Sequence, residues 1–478
     1  MLFNSAEFAI FFPVVTLLYF VTPHRRRWLT LLLASCVFYA VFIPIYIVIL
    51  FGMILVDYVA GLLIERSTGP ARPTMLIVSL VANIGVLAVF KYYNFFAAEI
   101  VAAGARLGLA WPLPLLRMAL PIGLSFHTFQ AMAYTIEVYR GRWRAERHLG
   151  LYALYVMFYP QLVAGPIERP QHLLPQFRIR HEFDPDRVAN GLKLMAWGLF
   201  KKVVIADRVA MIVNAAYARP QAVSGPAMMV ATCFFAWQIY CDFSGYSDMA
   251  IGAAEVMGVQ LTQNFRRPYL ARSTREFWMR WHISLSTWFR DYVYIPLGGS
   301  RAGLRRWITA LLFTFFLSGL WHGANWTFVV WGGLNGLFLI VGSLTANARA
   351  AVHRAIGLDR WPRSEAVLQR VITFVLISSS WVFFRADHVR DAVYVIRHLF
   401  SPAGLGLSEL GVTRGQFALS CAGVFALVAV ETLEPTGDAR AWIANRPAWA
   451  RWACYYAIIL LTISVGVFHR SRFIYFQF

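Results

Sequence analysis

The sequence predicts an all-α, polytopic integral membrane protein, on three observations. Of 478 residues, 59% are hydrophobic and only 14% charged, against about 25% charged in an ordinary soluble domain. Uncharged apolar windows recur along the chain, at Trp28–Val56, Pro73–Phe90, Met118–Ile136, Pro220–Cys241, Trp307–Asn347, Gly415–Val430 and Trp452–Phe468. A helix needs roughly 20 such residues to cross the hydrocarbon. Between the windows lie short basic loops: His24–Arg27, Arg140–Arg147, Arg301–Arg306 and Arg349–Arg370. An ordinary soluble enzyme and a disordered chain are both excluded.

Basic residues outnumber acidic ones by 44 to 24, for a net charge of +20. In a soluble protein that excess would suggest nucleic acid. Confined to loops, it reads as positive charge held on the cytoplasmic side, so the expected partner is membrane lipid and not nucleic acid.

The elements follow in order. Residues 8–23 form the first span, which ends at Arg25–Arg27 and places the amino terminus outside. The segment before it lacks the positive region of a cleaved signal peptide, so this span is expected to be retained. Pro44 divides the second window into two spans, and segments 73–92 and 118–139 follow. Segment 149–167 is interrupted by Pro160, Gly165 and Pro166 and reads as a re-entrant hairpin, which is tolerated only inside protein or along a cavity. Segments 189–214 and 220–250 lead to an amphipathic, arginine-rich stretch over 264–306. The 307–347 window holds two spans with Trp321, His322 and Gly323 at their junction, and 371–385, 415–432 and 452–468 complete the set. The expectation is about ten to twelve spans plus re-entrant and amphipathic helices, with both termini outside. Without internal repeat, linker or low-complexity segment, residues 1–478 read as one domain.

The five cysteines are scattered with no C-x-x-C pair, so neither a metal site nor a disulfide framework is expected. No phosphate-binding loop and no G-x-S-x-G elbow is present. His181 and Asp186 have an acyltransferase-like H-x-x-x-x-D spacing, but Asp184 before Pro185 reads better as a helix N-cap with proline at the first helical position.

Three places remain. His322 stands alone among more than thirty uncharged residues, and an ionisable group at membrane depth is by default a functional candidate. Burial penalises the imidazolium and keeps such a ring neutral and able to accept a proton. From the residues alone, a core histidine bonded to a carbonyl explains it equally well. His282 lies where Trp278, Trp281 and Trp288 alternate with Arg280 and Arg290. That pattern fits a helix partly buried at the membrane face, and its arginines suit either phosphate contacts or positive-inside anchoring. Asp242 and Asp248 form an acidic pair beside an apolar window, read as structural partners for the arginines of 266–280 in preference to catalytic carboxylates.

Taken together, the stretches Gln161–Arg169, Asp242–Asp248, Asn264–Tyr269, Phe277–Trp288, Asp291–Gly299 and Leu320–Ala324 resemble the membrane-bound O-acyltransferases, in the branch that acetylates bacterial polysaccharides. The resemblance covers most of the chain, with its signature core over about 118–345. It implies helices around a central tunnel, signature histidines at His282 and His322, and catalysis by the second. It further implies a cytoplasmic thioester donor, acetyl-CoA, which is not tightly bound. Expected donor-binding residues are Arg280, Arg290, Trp281 and Ser286, with Asp242, Asp248 and Asn264 in support. An inner-membrane location and a periplasmic acetyltransferase partner are also implied. Alginate is the first acceptor; peptidoglycan, cellulose and teichoic acid are alternatives. The ending Arg472–Phe478 resembles the aromatic peptide of the teichoic acid D-alanylation system, making Tyr475 a candidate acyl relay. From the residues alone this ending also fits an aromatic belt at the membrane surface. A transporter or flippase is the reading from another class, disfavoured because no inverted repeat is visible.

Overall fold

The computed structural model describes residues 1–109, 113–116, 121–402, 404, 406–434, 438–468 and 473–474. All regular structure among these residues is helical. Among the described residues, six helices are long and apolar enough to span a membrane: Tyr46–Arg66, Ala71–Arg106, Trp326–Leu344, Pro362–Arg385, Arg414–Leu433 and Ala448–Val465. The other segments read as spans fold as shorter or more buried helices, such as Ala6–Val21, Leu124–Tyr139 and the 32-residue Gly225–Val256.

Local chemistry explains most boundaries. The helices His24–Ala40 and Tyr46–Arg66 are separated by a turn containing Pro44, whose ring cannot continue the first helix. Asp184 Oδ1 accepts from the N–H groups of Asp186 and Arg187, capping the helix Pro185–Phe200. The segment after His148 is helical only to Met157, breaks at Phe158, and continues as the single turn Tyr159–Leu162. The helix expected over 73–92 instead continues through a π-helical turn at Ala88–Tyr92 to Arg106.

The chain divides into two compact units, Met1–Met195 with Tyr246–Thr262, and Ala196–Gly245 with Gln263–Phe478. In the first, Asp57 is buried among helices and accepts hydrogen bonds from Ser79 Oγ at 2.6 Å and Asn83 Nδ2 at 2.8 Å. Such satisfaction is what a buried carboxyl requires. The second unit carries both signature histidines.

Candidate active site

His322 is the last residue of the helix Leu304–His322, and Asn325 caps the next helix, Trp326–Leu344, by accepting from Thr327 N–H at 3.0 Å. These helices cross at glycines. A Cβ on Gly319 would collide with the carbonyl oxygen of Phe328, and one on Gly332 with that of Phe315. Small residues at a crossing let two backbones approach closely. The crossing fixes the end of the first helix, where His322 is only 5% exposed. Its ring meets Trp321, Trp331 and Phe384 edge-on, with centroids 4.8, 4.9 and 5.2 Å away.

His282 is held by a different device. The arginine-rich stretch is not one amphipathic helix but two seven-residue helices, Thr274–Arg280 and Ile283–Phe289, broken at His282. There φ is +42°, in the left-handed region. For a residue with a Cβ this costs roughly 1–2 kcal/mol and persists only where the surroundings over-determine it. They do so here. Arg266 N–H donates to the Arg280 carbonyl at 2.9 Å, Ile283 N–H to the Asn264 carbonyl at 2.9 Å, and Ser284 N–H to Asn264 Oδ1 at 3.2 Å. The fully buried Asn264 thus satisfies two donors at the start of the second short helix. Phe243 meets the His282 ring edge-on at 4.5 Å, and Trp321 lies at 6.0 Å. Trp321 therefore packs against both histidines.

A cavity of about 320 Å³ lies against the elements that carry them, lined by Arg275, Ser286, Thr287, Arg290, Thr314 and Ser318 among apolar neighbours; neither histidine is among its lining residues. Ser318 lies one turn before His322 on the same helix. Arg290 and Ser286 are therefore on this wall, whereas Arg280 and Trp281 are not among its residues. Arg280 pairs with Glu276, and Trp281 is buried, stacked on Phe277 and tilted against Trp381. Trp281 and Trp288 are both buried in the core.

Asp242 pairs with Lys202, at 2.7 Å, and not with the arginines of 266–280 that the sequence suggested. The reason is proximity: Gly245 lets the Gly225–Val256 helix approach the backbone of Gly198 and Lys202 so closely that a Cβ would have no room. Asp248, one turn further, belongs to the other unit. Lys202, Arg275, Ser318, Trp331 and Phe384 were missed from sequence. Only Lys202 carried a signal, a cation inside an otherwise apolar segment. Tyr475 lies outside the described residues.

Two buried histidines thus meet at one tryptophan in a helical chain with membrane-length apolar helices, an arrangement that suits a membrane-embedded transferase. The membrane-bound O-acyltransferase family signature matches residues 148–385. The chain belongs to that family and is an O-acyltransferase, which decides against the transporter reading. It is 40% identical over 413 residues to the "Probable alginate O-acetylase AlgI" of Pseudomonas aeruginosa, covering 86% of this chain and 77% of the relative. It is 33% identical over 452 residues to the "Peptidoglycan O-acetyltransferase" of Helicobacter pylori, covering 87% of this chain and 83% of the relative. A more distant relative, the "Teichoic acid D-alanyltransferase" of Streptococcus thermophilus, is 27% identical over 286 residues, 55% of this chain and 68% of the relative.

Proposed function

We propose that this chain is an inner-membrane acetyltransferase, moving acetyl groups from cytoplasmic acetyl-CoA to hydroxyls of an exported polysaccharide. Alginate is the favoured acceptor, supported by the name of the 40% identical relative. Peptidoglycan is the second reading, supported by the Helicobacter pylori relative.

The observation that carries the reading is the placement of His322 at the end of the helix whose preceding turn, at Ser318, lines the cavity. Its imidazole takes the proton of the attacking hydroxyl as the new C–O bond forms at the thioester carbonyl. The tetrahedral intermediate then expels the coenzyme A thiolate, which recovers that proton. General-base help of this kind contributes roughly 10²–10⁴-fold. His282 donates a hydrogen bond to the carbonyl oxygen as it gains charge. Arg275 and Arg290 at the cavity suit the phosphates of the donor.

Delivery beyond the membrane would use a periplasmic acetyltransferase partner, with both termini of this chain periplasmic. Tyr475 is the proposed relay. Its phenolic oxygen displaces coenzyme A, and the resulting aryl ester then passes its acetyl group to the partner, restoring the phenol. In cells producing the polymer, His322→Ala should abolish its O-acetyl groups while the protein reaches the membrane in normal amount. Near-normal acetylation would sink the assignment. Tyr475→Phe keeps the ring and removes only the hydroxyl, so full activity in that variant would end the relay while leaving direct transfer intact.

A further inference from the structure

A buried ion cluster in the second unit is not used by the chemistry above. Lys202 Nζ lies 2.7 Å from both Asp207 Oδ1 and Asp242 Oδ1, and all three residues are buried. One cation shared by two carboxylates leaves Asp242 its second oxygen. That oxygen, Oδ2, accepts the backbone N–H of Ile474 at 2.7 Å, from a residue 232 positions away.

The same neighbourhood grips the chain leading to Ile474 twice more. Val467 N–H donates to the Val203 carbonyl at 2.9 Å, and the Arg208 guanidinium donates to the Val465 carbonyl. Val203 belongs to the π-helical turn Lys201–Ala206, and Arg208 to the first turn of the helix Asp207–Ala218 that follows it. Such turns displace backbone groups from the regular helical ladder and recur at functional sites. All three captured groups are main-chain atoms, so the grip reads backbone position and not side-chain identity.

The held residues pack one ring away from His282. Phe473 and Ile474 are each 2% exposed. Phe473 packs on Phe243 at 5.8 Å, and Phe243 meets His282 edge-on at 4.5 Å. We propose that Lys202, Asp207 and Asp242 are positioning residues for acyl transfer, clamping residues 473–474 against Phe243 behind His282 so that the donor thioester meets the acceptor and not water. This rests on the acetyltransferase reading and adds to it what braces the packing behind His282. A backbone N–H held by a charged carboxylate is worth more than a neutral hydrogen bond, so its loss opens the wall in a large fraction of molecules.

The test is Ile474→Pro, which deletes the captured N–H and leaves the Lys202 pairs untouched. Ile474→Val, which keeps the N–H, is the control. With purified protein in lipid vesicles, two rates are measured: release of free coenzyme A from acetyl-CoA, and acetyl transfer to the polymer with its partner present. The expected result for Ile474→Pro is an approximately tenfold rise in the ratio of thioester hydrolysis to transfer, the size of one charged hydrogen bond. The control should keep the wild-type ratio. Should the proline variant be lost from the membrane, Asp242→Asn is measured in the same way and should raise the ratio in the same direction. An unchanged ratio in the variant that folds overturns the clamp, as does a parallel fall in both rates, the mark of a merely structural role. If the wild-type protein neither cleaves acetyl-CoA nor transfers its acetyl group, the acetyltransferase reading itself fails.

Discussion

The two histidines reach one tryptophan by opposite means. His322 ends a regular 19-residue helix and inherits its place from a glycine-mediated helix crossing. His282 occupies a break between two short helices, and its left-handed backbone is held by hydrogen bonds with Asn264 and Arg266 upstream in the same stretch. A residue carried by a rigid element needs only its own side chain for function. One carried by a break needs its backbone conformation and the segment that enforces it. The difference teaches that site precision here comes from helix packing in one place and from loop cross-bracing in the other.

The largest expected effect separates the side chains. His322→Ala should cost roughly 10²–10⁴-fold in transfer rate, as expected for loss of a general base, with thermal stability near wild type. His282→Ala should cost less in rate and more in stability. Polymer acetylation and thermal unfolding in detergent check both, and the reverse ranking would break the comparison.

Next comes the crossing that carries His322. Gly319→Ala forces a methyl into the Phe328 carbonyl and should destabilise by about 1–3 kcal/mol, moving His322 and lowering activity with it. Gly333→Ala on the neighbouring helix meets nothing within 4 Å and should be neutral or slightly stabilising. Equal melting temperatures for the two variants would show that the crossing does not position the histidine.

A smaller effect sharpens the backbone contrast. At position 282, glycine should be more stable than alanine by about 1 kcal/mol, because only glycine enters the left-handed region without cost. At position 322 the order should invert by about 0.5–1 kcal/mol, because alanine is the better residue in helical backbone. Unfolding of the four variants gives the answer, and the same order at both sites would refute a left-handed His282.

The smallest effect concerns the donor. Arg290→Gln, on the cavity wall, should raise the KM for acetyl-CoA up to about fivefold, as befits a half-exposed charge. Arg280→Gln, engaged with Glu276 away from the cavity, should leave KM unchanged. Steady-state kinetics on reconstituted protein distinguishes them.

Legibility followed the same division. The helix pair around His322 was visible as one uncharged window twice the length of a span, and the cap at Asp184 and the break at Pro44 were visible as local turn chemistry. The break at His282 was not. Its stretch has the composition of an amphipathic helix, and nothing local to Trp281, His282 and Ile283 calls for positive φ. Asn264 and Arg266, which impose it, stand upstream in the same stretch, beyond the reach of local turn chemistry. Asp242 was assigned to the nearer arginines because sequence distance was the only guide available. Its true partner depends on Gly245 admitting a second backbone.

What the sequence determined by itself was therefore the one-dimensional part: an all-α membrane chain, most of its helix boundaries, and the two histidines worth examining. Hydropathy, capping and proline breaks are short-range, and their energetics are nearly complete within a dozen residues. Only tertiary structure decided which arginines line the cavity, which cation Asp242 takes, why His282 is left-handed, and how residues 473–474 reach the wall beside it. Those outcomes are set by contacts between segments up to hundreds of residues apart, whose energies exist only once the helices have packed.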